Sequence, residues 1–174
     1  ADLEPEGEWF ATDDFGYVWQ PGLARRDDSW RPYTRGYWAD SDRGWTWISE
    51  EPFGWATYHY GRWALIEQRG WVWIPGDVWA PAWVAWRNNE QYVGWCPLPP
   101  ETLYADNCEF GPTIDDDYGL SPSTYTFMPT RDFGLPVSAH CVPIATNLTF
   151  IAGTVNVTRI VIRSSQVHCW GPEP

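Results

Sequence analysis

Along the first hundred positions, aromatic residues alternate with small or β-branched ones in short runs broken by Gly, Pro, Asp and Asn. That period-two pattern with frequent turn residues predicts hairpins and meanders, and no segment carries a helical apolar period. Gly16 to Gly22 reads GYVWQPG, Gly70 to Gly76 reads GWVWIPG, and Gly44 to Ser49 between them reads GWTWIS. Each copy places two aromatics at i and i+2, on one face of a strand. Starts near residues 16, 44 and 70, separated by 28 and 26 positions, mark a repeated supersecondary unit. Further aromatic strands are expected in each unit, including Gly54 to Tyr60 and Ala80 to Trp86, with aromatics on both faces.

Three regions follow. Residues 1–98 form a Trp-rich β-repeat region, residues 99–140 a Pro/Asp-rich ordered connection, and residues 141–174 a C-terminal β segment. In the last, alternation over Asn147 to Ile151 and Thr154 to Ile162 predicts two strands around Ala152 and Gly153. The expected fold is all-β: tandem small antiparallel Trp-rich units, barrel-like or blade-like, then a disulfide-pinned loop region and a C-terminal β-hairpin.

Composition sharpens this picture. The 174 residues include 15 Trp, and each indole buries about 150–250 Å², enough for a few stacked rings to stabilise a sheet too small for an aliphatic core. The net charge is −12 and all 11 basic residues are Arg, which argues against nucleic-acid binding. No apolar run has the length of a membrane span. Any membrane association is therefore expected through partners or an anchor outside the sequence.

An even set of four cysteines, Cys96, Cys108, Cys141 and Cys169, in an acidic, Lys-free chain points to an oxidising compartment. Three pairings are open, with Cys96–Cys108 and Cys141–Cys169 preferred. A zinc site built from the pairs His140–Cys141 and His168–Cys169 is disfavoured, because adjacent strand residues point to opposite faces and the spacing matches no common zinc loop.

Few residues suggest catalysis. His59 lies among aromatics in YHYGRW, where a packed imidazole is the simpler reading. Asp115, Asp116 and Asp117 lack the spacing of a calcium loop and read as an exposed acidic turn. No phosphate loop, nucleophile elbow or metalloprotease motif occurs, so no catalytic residue, cofactor or metal is assigned. Trp55, Tyr58, Tyr60, Arg62, Trp83, Trp86 and Arg87 form the candidate partner or ligand surface, being residue types enriched at binding hot spots.

The strings GWVWIPG, DVWAPAWVAWR, YVGWCPLPP, GYWADSDRGWTWIS, FGWATYHYGRW and NLTFIAGTVNVTRI resemble Trp-rich exported bacterial proteins with YXWXXGXW-type repeats. The likeness spans most of residues 28–162. It implies export past the inner membrane, a β-rich fold and no established catalytic residues. The functional expectation is a non-enzymatic periplasmic or extracellular accessory subunit, its signal peptide removed, docking onto a cell-envelope protein assembly. The alternative is a module that binds cell-wall or extracellular polysaccharide.

Overall fold

A computed structural model describes residues 2–103, 107–164 and 166–174. The chain is mostly β, with thirteen strands in three sheets and only short helices among the described residues. In order the strands are β1 (Gly7–Thr12), β2 (Gly16–Pro21), β3 (Gly36–Ser41), β4 (Gly44–Ser49), β5 (Arg62–Ile66), β6 (Gly70–Ile74), β7 (Val84–Asn88), β8 (Tyr92–Pro97), β9 (Glu109–Phe110), β10 (Thr126–Pro129), β11 (Val155–Asn156), β12 (Arg159–Arg163) and β13 (Gln166–Trp170). The helices are α1 (Gly22–Arg26), α2 (Gly54–Thr57), α3 (Ile114–Tyr118), α4 (Val137–His140) and α5 (Asn147–Gly153).

The first eight strands form four antiparallel hairpins, β1/β2, β3/β4, β5/β6 and β7/β8. Each hairpin sets one Trp directly opposite another: Trp9 and Trp19, Trp38 and Trp47, Trp63 and Trp73, Trp86 and Trp95. The repeated glycine has a turn role. Gly16, Gly44 and Gly70 leave their hairpin turns with φ of +70°, +102° and +94°, a region that penalises any side chain. At Gly44 an added Cβ would also lie 1.7 Å from the Cys169 carbonyl oxygen. In the fourth hairpin the turn is instead closed by Asn89, whose Oδ1 accepts from the amides of Gln91 and Tyr92.

The hairpins then share sheets. β1/β2 and β5/β6 join through β2 and β6 in the order β1-β2-β6-β5, which aligns Trp9, Trp19, Trp73 and Trp63 as one row across the sheet. The other two hairpins pack against each other through the rings of Trp38, Trp47, Trp86 and Trp95. Trp38 lies 4.6 Å from Trp86 and 5.6 Å from Trp95, centroid to centroid. Tyr33, Tyr58, Phe53 and Trp30 link this quartet to the row, so a single aromatic core runs through the molecule. Indole N–H groups tie loops to it: Trp63 donates to the Thr57 carbonyl, Trp73 to that of Tyr60 and Trp95 to that of Tyr33. Such ring pairs contribute about 0.5–1.5 kcal/mol each beyond their area burial.

Later residues complete the sheets rather than adding one at the end. β10 extends the β7/β8 sheet beside β8 and β11 beside β7, giving β10-β8-β7-β11. The β12/β13 hairpin joins β4 in parallel and carries β9 on its far edge, giving β3-β4-β13-β12-β9. The aliphatic residues of β12 and β13 build a second core with Phe127 and Leu98.

Three expectations are corrected. No disulfide links Cys96, Cys108, Cys141 or Cys169. Cys96 faces the core from β8 with Sγ 3.2 Å from Thr124 Oγ1, whereas Cys169 on β13 donates to the Ala82 carbonyl at 2.9 Å, so sheet geometry commits the two buried thiols to separate partners. Residues 147–151 form the start of α5, not a strand; buried Asn147 donates to the carbonyls of Pro122 and Tyr125 and fixes the helix by tertiary contact. Gly54–Thr57 is likewise one helical turn, with the Thr57 and Tyr58 amides bonded to the Phe53 and Gly54 carbonyls, and it packs so closely that an added Cβ on Gly54 would meet Ser49 at 2.4 Å.

Replacing Trp73 by Ala should cost about 3–5 kcal/mol in denaturant unfolding, as expected for emptying a buried indole site. A loss below about 1 kcal/mol would place Trp73 outside the core.

Candidate functional site

The seven residues expected on a partner surface separate in the structure. Trp86 and Tyr58 are fully buried in the aromatic core. Trp83 and Arg62 are also buried, and Tyr60 and Arg87 are half-buried. Trp55 alone among the seven is exposed, at 52%. The alternation rule misled here because Gly54–Tyr60 is not a strand and its aromatics do not take turns facing solvent.

Arg87 and Asp115 show how polar groups are used inside. Arg87 Nη1 pairs with Asp115 Oδ2 at 2.7 Å, while its remaining nitrogens donate to Thr154 Oγ1 and to the Ile151 and Thr154 carbonyls. Tyr125 and Asn156 also donate to the Asp115 carboxylate. Burial, with the nearby Cys96 thiol and Asp115 carboxylate, holds the Tyr125 phenol well above its usual range. The expected exposed acidic turn is thus half structural: Asp115 joins α3 to β7, to β11 and to Tyr125 just before β10, while Asp116 and Asp117 are exposed. Neither partner of this network had a local signal, because Arg87 and Asp115 are 28 positions apart.

Glu51 is a second buried acid. It accepts from Trp30 Nε1 at 2.9 Å and from the Tyr58 hydroxyl, and burial raises its pKa above the ordinary value despite those bonds. Cys96 and Cys169 are pushed up to about 12 by burial, which leaves them as unreactive thiols at neutral pH. His59 stacks on Trp79 at 5.3 Å with Nδ1 2.8 Å from the Ala80 carbonyl oxygen; burial lowers its pKa. No cluster of three or more His, Cys, Asp or Glu placed to hold a metal occurs among the described residues.

A cleft lies beside β5. It has a volume of about 420 Å³ and is lined by Gly61, Arg62, Pro75, Gly76, Asp77, Val78, Trp83 and Leu103. The Arg62 guanidinium lies 3.6 Å over the Trp83 ring, and Thr102 holds it through both side chain and carbonyl. Burial lowers its pKa to about 10, so it remains a cation at neutral pH. Thr102 lies 40 positions from Arg62, beyond the reach of any local motif.

A model of a family of unknown function, DUF6600, matches residues 1–102. The chain belongs to that family. The matched stretch contains all four Trp-paired hairpins and every residue lining the Arg62 cleft except Leu103. No curated protein and no solved structure matches the chain.

Two outcomes check this chemistry. Because the folded state holds a proton on Glu51 more tightly than the unfolded chain does, its contribution to stability is complete at pH below the ordinary value of 4.5 and is lost as pH rises through the raised folded value. Urea unfolding across that range should show a flatter decline for Glu51→Gln than for the wild type; parallel curves would remove Glu51 as the cause. Alkylation without reductant should modify Cys96 and Cys169 slowly in the native chain and all four cysteines in denaturant. Mass evidence of protected pairs after unfolding would restore the staples.

Proposed function

We propose that this chain is a non-catalytic docking module of a larger protein assembly in the cell envelope, acting outside the cytoplasmic membrane. Trp55 carries the reading. Its neighbours Gly54, Ala56 and Thr57 are buried, and Phe53 packs on Trp19, so α2 presents a half-exposed indole from a rigid, anchored turn. A large amphipathic side chain held in place before contact loses little entropy on binding, which is what an interface anchor requires.

Other outward aromatics support the same reading. Tyr17 and Trp9 lie on the first hairpin, and Tyr37 faces Ile48 across the second. The net charge of −12 favours a partner surface with basic groups around an apolar pocket. The inward acids and thiols are spent on internal hydrogen bonds and packing, which is consistent with a chain that binds rather than converts.

Trp55→Ala tests this directly. Immobilised wild-type chain should retain a defined set of envelope proteins from native extract, and the variant should bind them more weakly by about 2 kcal/mol or more. Its unfolding free energy should stay within about 0.5 kcal/mol of wild type, as for a surface change. Equal retention by both chains contradicts the docking role of Trp55. Retention by insoluble cell-wall polysaccharide alone would replace the protein partner with a glycan.

A further inference from the structure

Arg62 on β5 and Arg87 on β7 each adjoin a cross-strand-paired Trp in sequence, yet their charges are handled differently. Arg87 meets the Asp115 carboxylate at 2.7 Å. Arg62 is more deeply buried, at 2% exposure, and no carboxylate forms an ion pair with it among the described residues. Its hydrogen bonds go to neutral acceptors only: Nε to Thr102 Oγ1 at 2.7 Å, Nη2 to the Thr102 carbonyl at 3.1 Å and Nη1 to the Gly61 carbonyl at 2.8 Å. A guanidinium has five N–H donors, so one on each terminal nitrogen has no acceptor among the described residues.

An isolated buried cation costs several kcal/mol, and stacking on an indole returns only part of that. Here the cation also lines an open cleft of about 420 Å³, within the size range of small-molecule sites. The walls are Pro75, Val78, Leu103 and the Trp83 ring, and Asp77 is the carboxylate that lines it.

We propose that this cleft binds a small organic monocarboxylate with an apolar body. The two spare N–H groups of Arg62 match the two oxygens of one carboxylate, and Val78, Pro75 and Leu103 receive the body. Asp77 in the same cleft and the net charge of −12 disfavour a dianion such as phosphate. The site is separate from the Trp55 surface, so neither reading depends on the other.

Benzoate serves as the probe, with uncharged benzamide and inorganic phosphate as comparators, read by calorimetry and by the Arg62 Nε–H resonance in the full chain. Benzoate should bind saturably and shift that resonance, with benzamide and phosphate weaker by about tenfold or more, the scale of one charged contact. Val78→Trp should fill the cleft without touching the guanidinium, weakening benzoate by about tenfold while thermal unfolding is unchanged. Arg62→Gln should abolish binding; should that variant unfold, Val78→Trp still decides. An unmoved Arg62 resonance at high benzoate, equal binding of benzamide, or wild-type affinity in Val78→Trp would overturn the proposal.

Discussion

The structure depends on indole facing indole across a hairpin. A single two-stranded hairpin buries too little to persist in water, and none of the first eight strands exceeds six residues. Placing a Trp at the same rung of both strands gives each hairpin a large apolar face from only two positions. Those faces then find each other. In one sheet the four Trp positions line up in register, with the Trp9 and Trp73 rings meeting at 6.3 Å, and in the other two sheets the pairs close into a quartet. Trp38, Trp47 and Trp86 of the quartet have no hydrogen-bond acceptor for their N–H among the described residues, so their contribution is packing.

Everything polar in the interior is arranged around that core. Glu51 sits where Trp30 and Tyr58 both aim donors, and Asp115 holds Arg87, Tyr125 and Asn156 where the later residues cross the β7/β8 sheet. The family match ends at residue 102, where the hairpins end, yet β10, β11 and β13 pair directly with β8, β7 and β4. The later residues therefore finish sheets that the hairpins leave with open edges. The same frame seats Phe53, two residues before Trp55, on Trp19, and Thr102 holds the Arg62 guanidinium.

The β character, the short strands and the role of Trp were legible in the alternating pattern, because a two-residue period and turn residues are local properties. The recurrent glycine was legible too, although its physical meaning, a left-handed turn exit, needed the backbone. The fourth hairpin escaped the period because Asn89 rather than a glycine closes its turn. Cysteine number suggested the staples Cys96–Cys108 and Cys141–Cys169, but pairing depends on tertiary placement, and the Cys96 thiol lies against Thr124 while that of Cys169 donates to the Ala82 carbonyl. Burial of Tyr58, Arg62, Trp83 and Trp86 was not legible: Tyr58 ends a helical turn, Trp83 precedes β7, and how neighbouring sheets and loops cover a residue is not a local property. The helix at Asn147–Gly153 was hidden by β-branched residues whose preference the buried Asn147 contacts override.

A double-mutant cycle between Trp38 and Trp47, whose rings meet across one hairpin at 5.0 Å, measures the interaction on which the fold rests. With each replaced by Leu singly and together, urea unfolding should give a coupling energy of about 0.5–1.5 kcal/mol. A coupling indistinguishable from zero would mean that the indoles only fill volume, and that something other than their mutual contact holds the hairpins together.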